Sequence, residues 1–216
     1  MNLRQVLLAA VALLFALHGF EQPMAFIVPM WILAFQFKVP LALLMRQAPP
    51  AVAFVGFGML FGLMTESFAI LGNLDRPDSE KILMHPDPAT DLMFGLASYG
   101  MTMIVWLVLV QRLRFRLWQV FLATAAYGAV TEQMGQVLID ALVRPWPGIG
   151  ILMLVGTVYG VFPMLAYMLT DARFGSGRPP ARKRHLVWAT GLLFAQWALF
   201  GLAVLPALKA LVGVRA

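Results

Sequence analysis

The sequence contains no cysteine. Disulfides, thiolate metal sites and cysteine nucleophiles are therefore excluded. Histidine is nearly as scarce: His18, His85 and His185 stand far apart, and no His-Glu-x-x-His occurs, which argues against a zinc hydrolase. There is no Gly-x-Ser-x-Gly elbow, no phosphate-binding loop and no Gly-x-Gly-x-x-Gly fingerprint. The paired Asp-rich motifs of membrane prenyltransferases are missing too. Charge is thin, with Asp, Glu, Lys and Arg at 12% against about a quarter in soluble domains. No cofactor and no metal is expected from such a set.

What remains is apolar. Hydrophobic residues make up 61% of 216 positions. Runs stand out at 5–20, 24–45, 51–72, 91–110, 117–142, 149–170 and 186–212. Crossing a bilayer takes about 20 such residues. The reading is an all-α, polytopic membrane helix bundle, one integral membrane domain over 1–216 with about seven transmembrane helices. Pro29 and Pro40 are expected to kink the second run. The first run reads as a retained helix, since no small-x-small cleavage site precedes Glu21.

One pattern occurs twice. Gly62-Leu63-Met64-Thr65-Glu66 is followed by His85-Pro86-Asp87-Pro88, Leu92-Met93 and Tyr99-Gly100. Gly128-Ala129-Val130-Thr131-Glu132 is followed by Arg144-Pro145-Trp146-Pro147, Leu152-Met153 and Tyr159-Gly160. The Thr-Glu offset is 66 residues and the Tyr-Gly offset is 60. The order implies an internal repeat of helices three–four and five–six, with units at about 51–111 and 117–170 and helix seven outside them.

Charge orients the bundle. With the N-terminus in the cytoplasm, 11 of the 16 basic residues fall on that side, in Arg4, Lys38, Arg46, the Arg112–Arg116 cluster and the 173–184 loop. This is the positive-inside pattern, not a nucleic-acid footprint. It suggests a bacterial inner membrane with the C-terminus outside. Membrane lipids are the expected partners, and nucleic acid is not.

The same orientation brings Glu66 and Glu132 to the outer thirds of two parallel helices. A carboxylate at membrane depth is costly and marks a functional site. Gly58, Gly62 and Glu66 lie at i, i+4, i+8, and so do Thr124, Gly128 and Glu132, with Gln136 continuing the stripe. Small residues allow close helix approach, so both glutamates are expected to face inward. Glu66 and Glu132 are the candidate acid–base residues, in one cavity open to the outer half. Gln136 would stand on its wall, Glu21 and His18 at its mouth, and Tyr99 and Tyr159 alongside as substrate contacts.

Three functions fit. The first is an acid–base enzyme acting on a lipid or isoprenoid substrate. The second is a proton- or cation-coupled carrier, against which no run shows the sharp mid-helix unwinding of carrier sites. The third is a non-catalytic subunit or assembly factor whose acids set helix register. The topology has a direct test. Cysteines introduced at Ser79 and Gly148 should label from outside intact cells, and one at Ser176 only after permeabilisation. Labelling of Ser176 in intact cells would reverse the orientation.

Overall fold

The computed structural model describes residues 3–78, 81 and 83–213. Ser79, Glu80 and Arg215 lie outside the described residues. Among those described, the chain is helical, with one isolated bridge between Arg114 and Pro180.

The helices follow the apolar runs, and proline and glycine set their breaks. Helix α1 covers Leu3–Gly19. A 3-10 turn leads into α2, Ile27–Gln36, and α3, Lys38–Leu44. Pro40 has no N–H for the Gln36 carbonyl, and its ring clashes there. The chain accordingly turns by 86° between α2 and α3. Pro29 causes no kink, because it sits in the first turn of α2, where its N–H would be unpaired anyway. Helix α4 covers Pro50–Leu71 and α5 covers Pro88–Arg112. Helix α6, Leu117–Thr131, is followed by a 3-10 turn and α7, Gln136–Val143. Helix α8 covers Pro145–Thr170, so the expected Arg144–Gly148 turn is mostly helix, with Pro145 and Pro147 in its first turn. Helix α9, Lys183–Leu199, passes through a π turn into α10, Leu205–Leu211. Pro206 lies just beyond that turn and cannot donate to Leu202, which favours the wider winding.

Four stretches are long and apolar enough to cross a membrane: Pro50–Leu71, Pro88–Arg112, Pro145–Phe174 and Lys183–Leu211. The bent α2–α3 pair makes a fifth if counted as one span. The expected seven spans are therefore not confirmed: four to five among the described residues have the length. Helix α6 falls short at 15 residues, about 22 Å at 1.5 Å per residue, against a hydrocarbon core of about 30 Å. Helix α1, at 17 residues, is also short. Large apolar side chains such as Trp146, Leu202 and Trp188 are exposed on the outer faces. Such a surface is consistent with a membrane protein, because lipid tolerates it and water does not.

The spans close into a ring. Helix α4 packs on α5, α5 on α9, α9 on α6, α6 on α8, and α8 back on α4. Helix α1 lies outside it, while α2 and α3 pack on α8 and α2 brings Ile27, Met30 and Ala34 into the core; the connecting 3-10 turn meets α4. Inside the ring, Trp106 of α5 donates from Nε1 to Thr124 Oγ1 of α6 at 2.9 Å. Tyr99 meets Phe162 edge-on at 4.9 Å.

One end of the ring is bound together by arginine. Arg114 donates its N–H to the Pro179 carbonyl, and Ala181 donates back to Arg114. Arg173 donates to the carbonyls of Met45, Arg46 and Ala48. The three basic segments thus share one end of the molecule. Arg178 is 9% exposed. It reaches the Val110 carbonyl near the end of α5 and, through Nη2, Asp171 Oδ1 at 2.7 Å. Cations at helix C-termini are favourable, and here the contact also fixes the loop.

The fold alters one labelling position. A Cβ at Gly148 would fall 2.5 Å from the Ala141 backbone, so Trp146, 92% exposed, is the better cysteine site. The Arg178 contact predicts that Arg178→Ala destabilises the protein by about 2–3 kcal/mol, measured by unfolding in mixed micelles. Arg178→Lys should recover only part, since an ammonium lacks the planar fork. An unchanged unfolding midpoint in Arg178→Ala would show that the contact is incidental.

Candidate functional site

The site begins with two glycines. An ideal Cβ on Gly62 would lie 2.8 Å from Cγ of Tyr99, and one on Gly128 would lie 2.2 Å from Cγ of Tyr159. Each tyrosine ring therefore lies against a bare helix backbone. That placement carries its hydroxyl one turn further along the helix, to the glutamate. Tyr99 donates to Glu66 Oε2 at 2.6 Å, and Tyr159 donates to Glu132 Oε2 at 2.7 Å. The two arrangements share every step: glycine, ring, hydroxyl, carboxylate four residues on.

The threonines behave alike as well. Thr65 donates to the Phe61 carbonyl and Thr131 to the Tyr127 carbonyl, each four residues back. Both are buried. Their hydroxyls are occupied by their own helices and are not offered to a ligand.

The two halves then diverge. Around Glu66, α4 runs on without interruption to Leu71. At Glu132 the helix stops. Glu132 has ψ 128°, Gly135 is left-handed at φ 86°, and α7 starts at Gln136. Gln133 has φ 47°, the one positive value at a non-glycine among the described residues. Backbone strain of this kind collects at functional sites. The expectation of no mid-helix unwinding is therefore corrected: the fifth run unwinds at its glutamate. The local cause is Gly135, which stands where the first half has Ala69. Nearby, Pro163 within α8 has no N–H for the Tyr159 carbonyl.

Glu66 has a further neighbour. On α5, Asp91, Gly95 and Tyr99 follow at i, i+4, i+8 on one face. A Cβ on Gly95 would lie 3.1 Å from Cγ of Glu66, so the carboxyl sits over that glycine. Asp91 stands one turn before Gly95 on that same face of α5, on the side of the helix against which Glu66 packs. At the matching offset the second half has Ile151 and Val155, which offer no such acid. Sequence reading passed over Asp91 as the start of a run, although the Asp-x-x-x-Gly-x-x-x-Tyr stripe was there to find. Beside the second pair, the Tyr127 ring meets Tyr159 edge-on at 5.8 Å.

The other expected residues stand apart. Glu21 and His18 are exposed beyond or near the end of α1, 3.9 Å from each other. Gln136 is exposed and donates to Asp140 Oδ1 at 2.8 Å. The two glutamates are near enough for their charges to interact. A cavity of about 590 Å³ opens between α1–α3 and α4, lined by Phe26, Met30, Leu33, Phe61, Met64 and Phe68 among others. Met64 and Phe68 are each two residues from Glu66, which puts cavity and carboxyl on opposite faces of α4.

Among the described residues, no three of His, Asp and Glu are grouped to hold a metal ion. No protein-family model matches the chain, and neither characterised proteins nor solved structures show significant similarity to it.

The tyrosine seats predict a difference between two substitutions. Alanine gains about 1 kcal/mol over glycine in a helix, whereas overpacking costs about 1–3 kcal/mol. At 2.2 Å the clash dominates, so Gly128→Ala should destabilise by about 1–2 kcal/mol. At 2.8 Å the terms nearly balance, so Gly62→Ala should be close to neutral. Unfolding in mixed micelles checks both. Equal destabilisation, or none at Gly128, would mean that the rings are not held by these glycines.

Proposed function

We propose that this chain is a multi-pass membrane protein that binds and moves protons, as a proton-coupled carrier of a small solute or cation. Glu66 with Tyr99 and Glu132 with Tyr159 are its proton-binding groups. The observation that carries this is the broken helix at Glu132: unwound backbone beside an intramembrane acid is how carriers build sites that must change shape. Buried carboxyls joined to hydroxyls also exchange protons without needing an organic substrate in place.

On this reading the two halves descend from one repeat, α4–α5 and α6–α7–α8. Their support is the shared glycine, tyrosine, threonine and glutamate geometry. The chain would sit in a bacterial inner membrane with its arginine-bound end in the cytoplasm, in keeping with the positive-inside rule.

A lipid-directed acid–base enzyme is the second reading. The apolar cavity has volume for a lipid chain, but it lies across α4 from Glu66, so acid and substrate would not meet. A purely structural role explains both Glu–Tyr bonds as ties between helices. It leaves the strained break at Gln133 without a purpose.

The test is proton movement into dye-loaded proteoliposomes under an imposed membrane potential. The protein should acidify the lumen, and Glu66→Gln and Glu132→Gln should each slow this by about tenfold or more, as loss of an essential proton-transfer group does. Identical traces from the unmodified protein and the double Gln variant would overturn the reading.

A further inference from the structure

Asp91 is the acid that the Glu–Tyr pairs do not account for. It lies in the first turn of α5 and is 0% exposed. Its Oδ1 accepts the backbone N–H of His85 at 3.0 Å. Its Oδ2 is buried and receives no donor from any described residue. A carboxyl oxygen left so is costly. The group opposite is the Glu66 carboxyl, lodged over Gly95 one turn along α5 from Asp91. Glu66 has its own Oε2 already bonded to Tyr99. Two bare carboxylates repel at this range, whereas one proton placed between them gives both a partner.

We infer that Glu66 and Asp91 form a carboxyl pair holding one exchangeable proton, closed off by the turn at residues 83–87. The turn is built for this position. His85 donates its backbone N–H to Asp91 and rests its ring edge-on against Phe94, with centroids 6.0 Å apart. Asp87 donates its N–H to His85 Nδ1 at 3.0 Å and caps α5 by accepting from Thr90. Met84, Pro86 and Asp87 are exposed, so a small displacement of the turn brings water to Asp91. The titratable groups facing the pair are Tyr99 on α5, Glu132 at the break after α6, Tyr159 on α8 and His85 in the turn.

The exchange is balanced simply. The closed pair carries one proton and one negative charge. On release the O–H bond breaks, its electrons stay on the carboxyl oxygen, and the proton passes to water. Two negative charges then lie side by side between α4 and α5, so release favours separation of the two helices or entry of water. The transport role of this step rests on the carrier reading, but the pair itself is a property of α4 and α5 alone.

Infrared difference spectroscopy of the purified, full-length protein between acidic and alkaline buffer tests it. The unmodified protein should show a protonated-carboxyl band that shifts in heavy water. Because the proton is shared, Glu66→Gln and Asp91→Asn should each abolish that same band, while Glu132→Gln leaves it. Circular dichroism and gel filtration confirm that the variants stay folded. Persistence of the band in either Glu66→Gln or Asp91→Asn would overturn the pair. Displacement of the band by sodium chloride, but not choline chloride, at fixed pH would overturn the proton assignment in favour of a cation. A pair confirmed here beside unaltered liposome traces would refute the carrier and keep the proton site. Proton movement without the band would do the reverse.

Discussion

A carboxyl group inside an apolar bundle must receive a hydrogen bond from somewhere, and here Glu66 and Glu132 each receive it from a tyrosine on a neighbouring helix. Leaving such a group unpaired costs about 1–3 kcal/mol or more, a large part of the net stability of a protein this size. The requirement fixes how close the helices come. Each tyrosine ring lies against the bare backbone of Gly62 or Gly128, where a Cβ would fall 2.8 or 2.2 Å from it. The ring then fills the space between α4 and α5 in one half, and between α6 and α8 in the other. The hydroxyl, the glutamate and the helix separation are thus one linked arrangement, and the ring of spans is assembled around its two copies.

On the proposed repeat, the helices after the two glutamates diverge at one position. Ala69 lets α4 continue past Glu66, whereas Gly135 permits the left-handed turn that ends the helical segment after Glu132. A rigid helix holds the first acid against a second carboxyl at Asp91. A broken helix leaves the second acid half-buried with a single tyrosine bond. On the carrier reading, one half would hold a proton and the other would change shape, and the proposed repeat would give both a common starting geometry.

The residues show what was legible beforehand. Glu66, Glu132, Tyr99 and Tyr159 were singled out from their spacing, but the bonds between each glutamate and its tyrosine were not, because periodicity gives a residue's face on its own helix and not its partner on the next. The bend at Pro40 followed from a missing N–H. The break at Glu132 did not, because one glycine near a helix end either continues the helix or caps it, and only the surrounding packing decides. The seven-span count was not confirmed where length was the deciding quantity: α1 and α6 are apolar but short. Glu21, His18 and Gln136 were placed by depth along the chain, which says nothing about the side of the bundle a residue faces. Asp91 was missed for the opposite reason. A charge at the edge of an apolar run reads as the boundary of a span, yet here the helix begins earlier, at Pro88, and carries the acid inside.

The two ends of the bundle are held very differently. At the basic end, Arg173 ties the Met45–Ala48 turn to the segment after α8, Arg178 ties the end of α5 to Asp171, and the Arg114–Pro180 bridge joins two loops. Several charge-assisted bonds must break together before that end can open. At the acidic end, the 83–87 turn meets the helices through the His85 N–H on Asp91 and a ring contact on Phe94. Helix α7 is set off by a glycine and a strained glutamine. Local opening takes place where few buried contacts oppose it. On the carrier reading, movement is directed to the end where the acids lie: a proton arriving at or leaving Glu66 or Asp91 would change the charge where the 83–87 turn can respond, with the arginine-bound end as the fixed base.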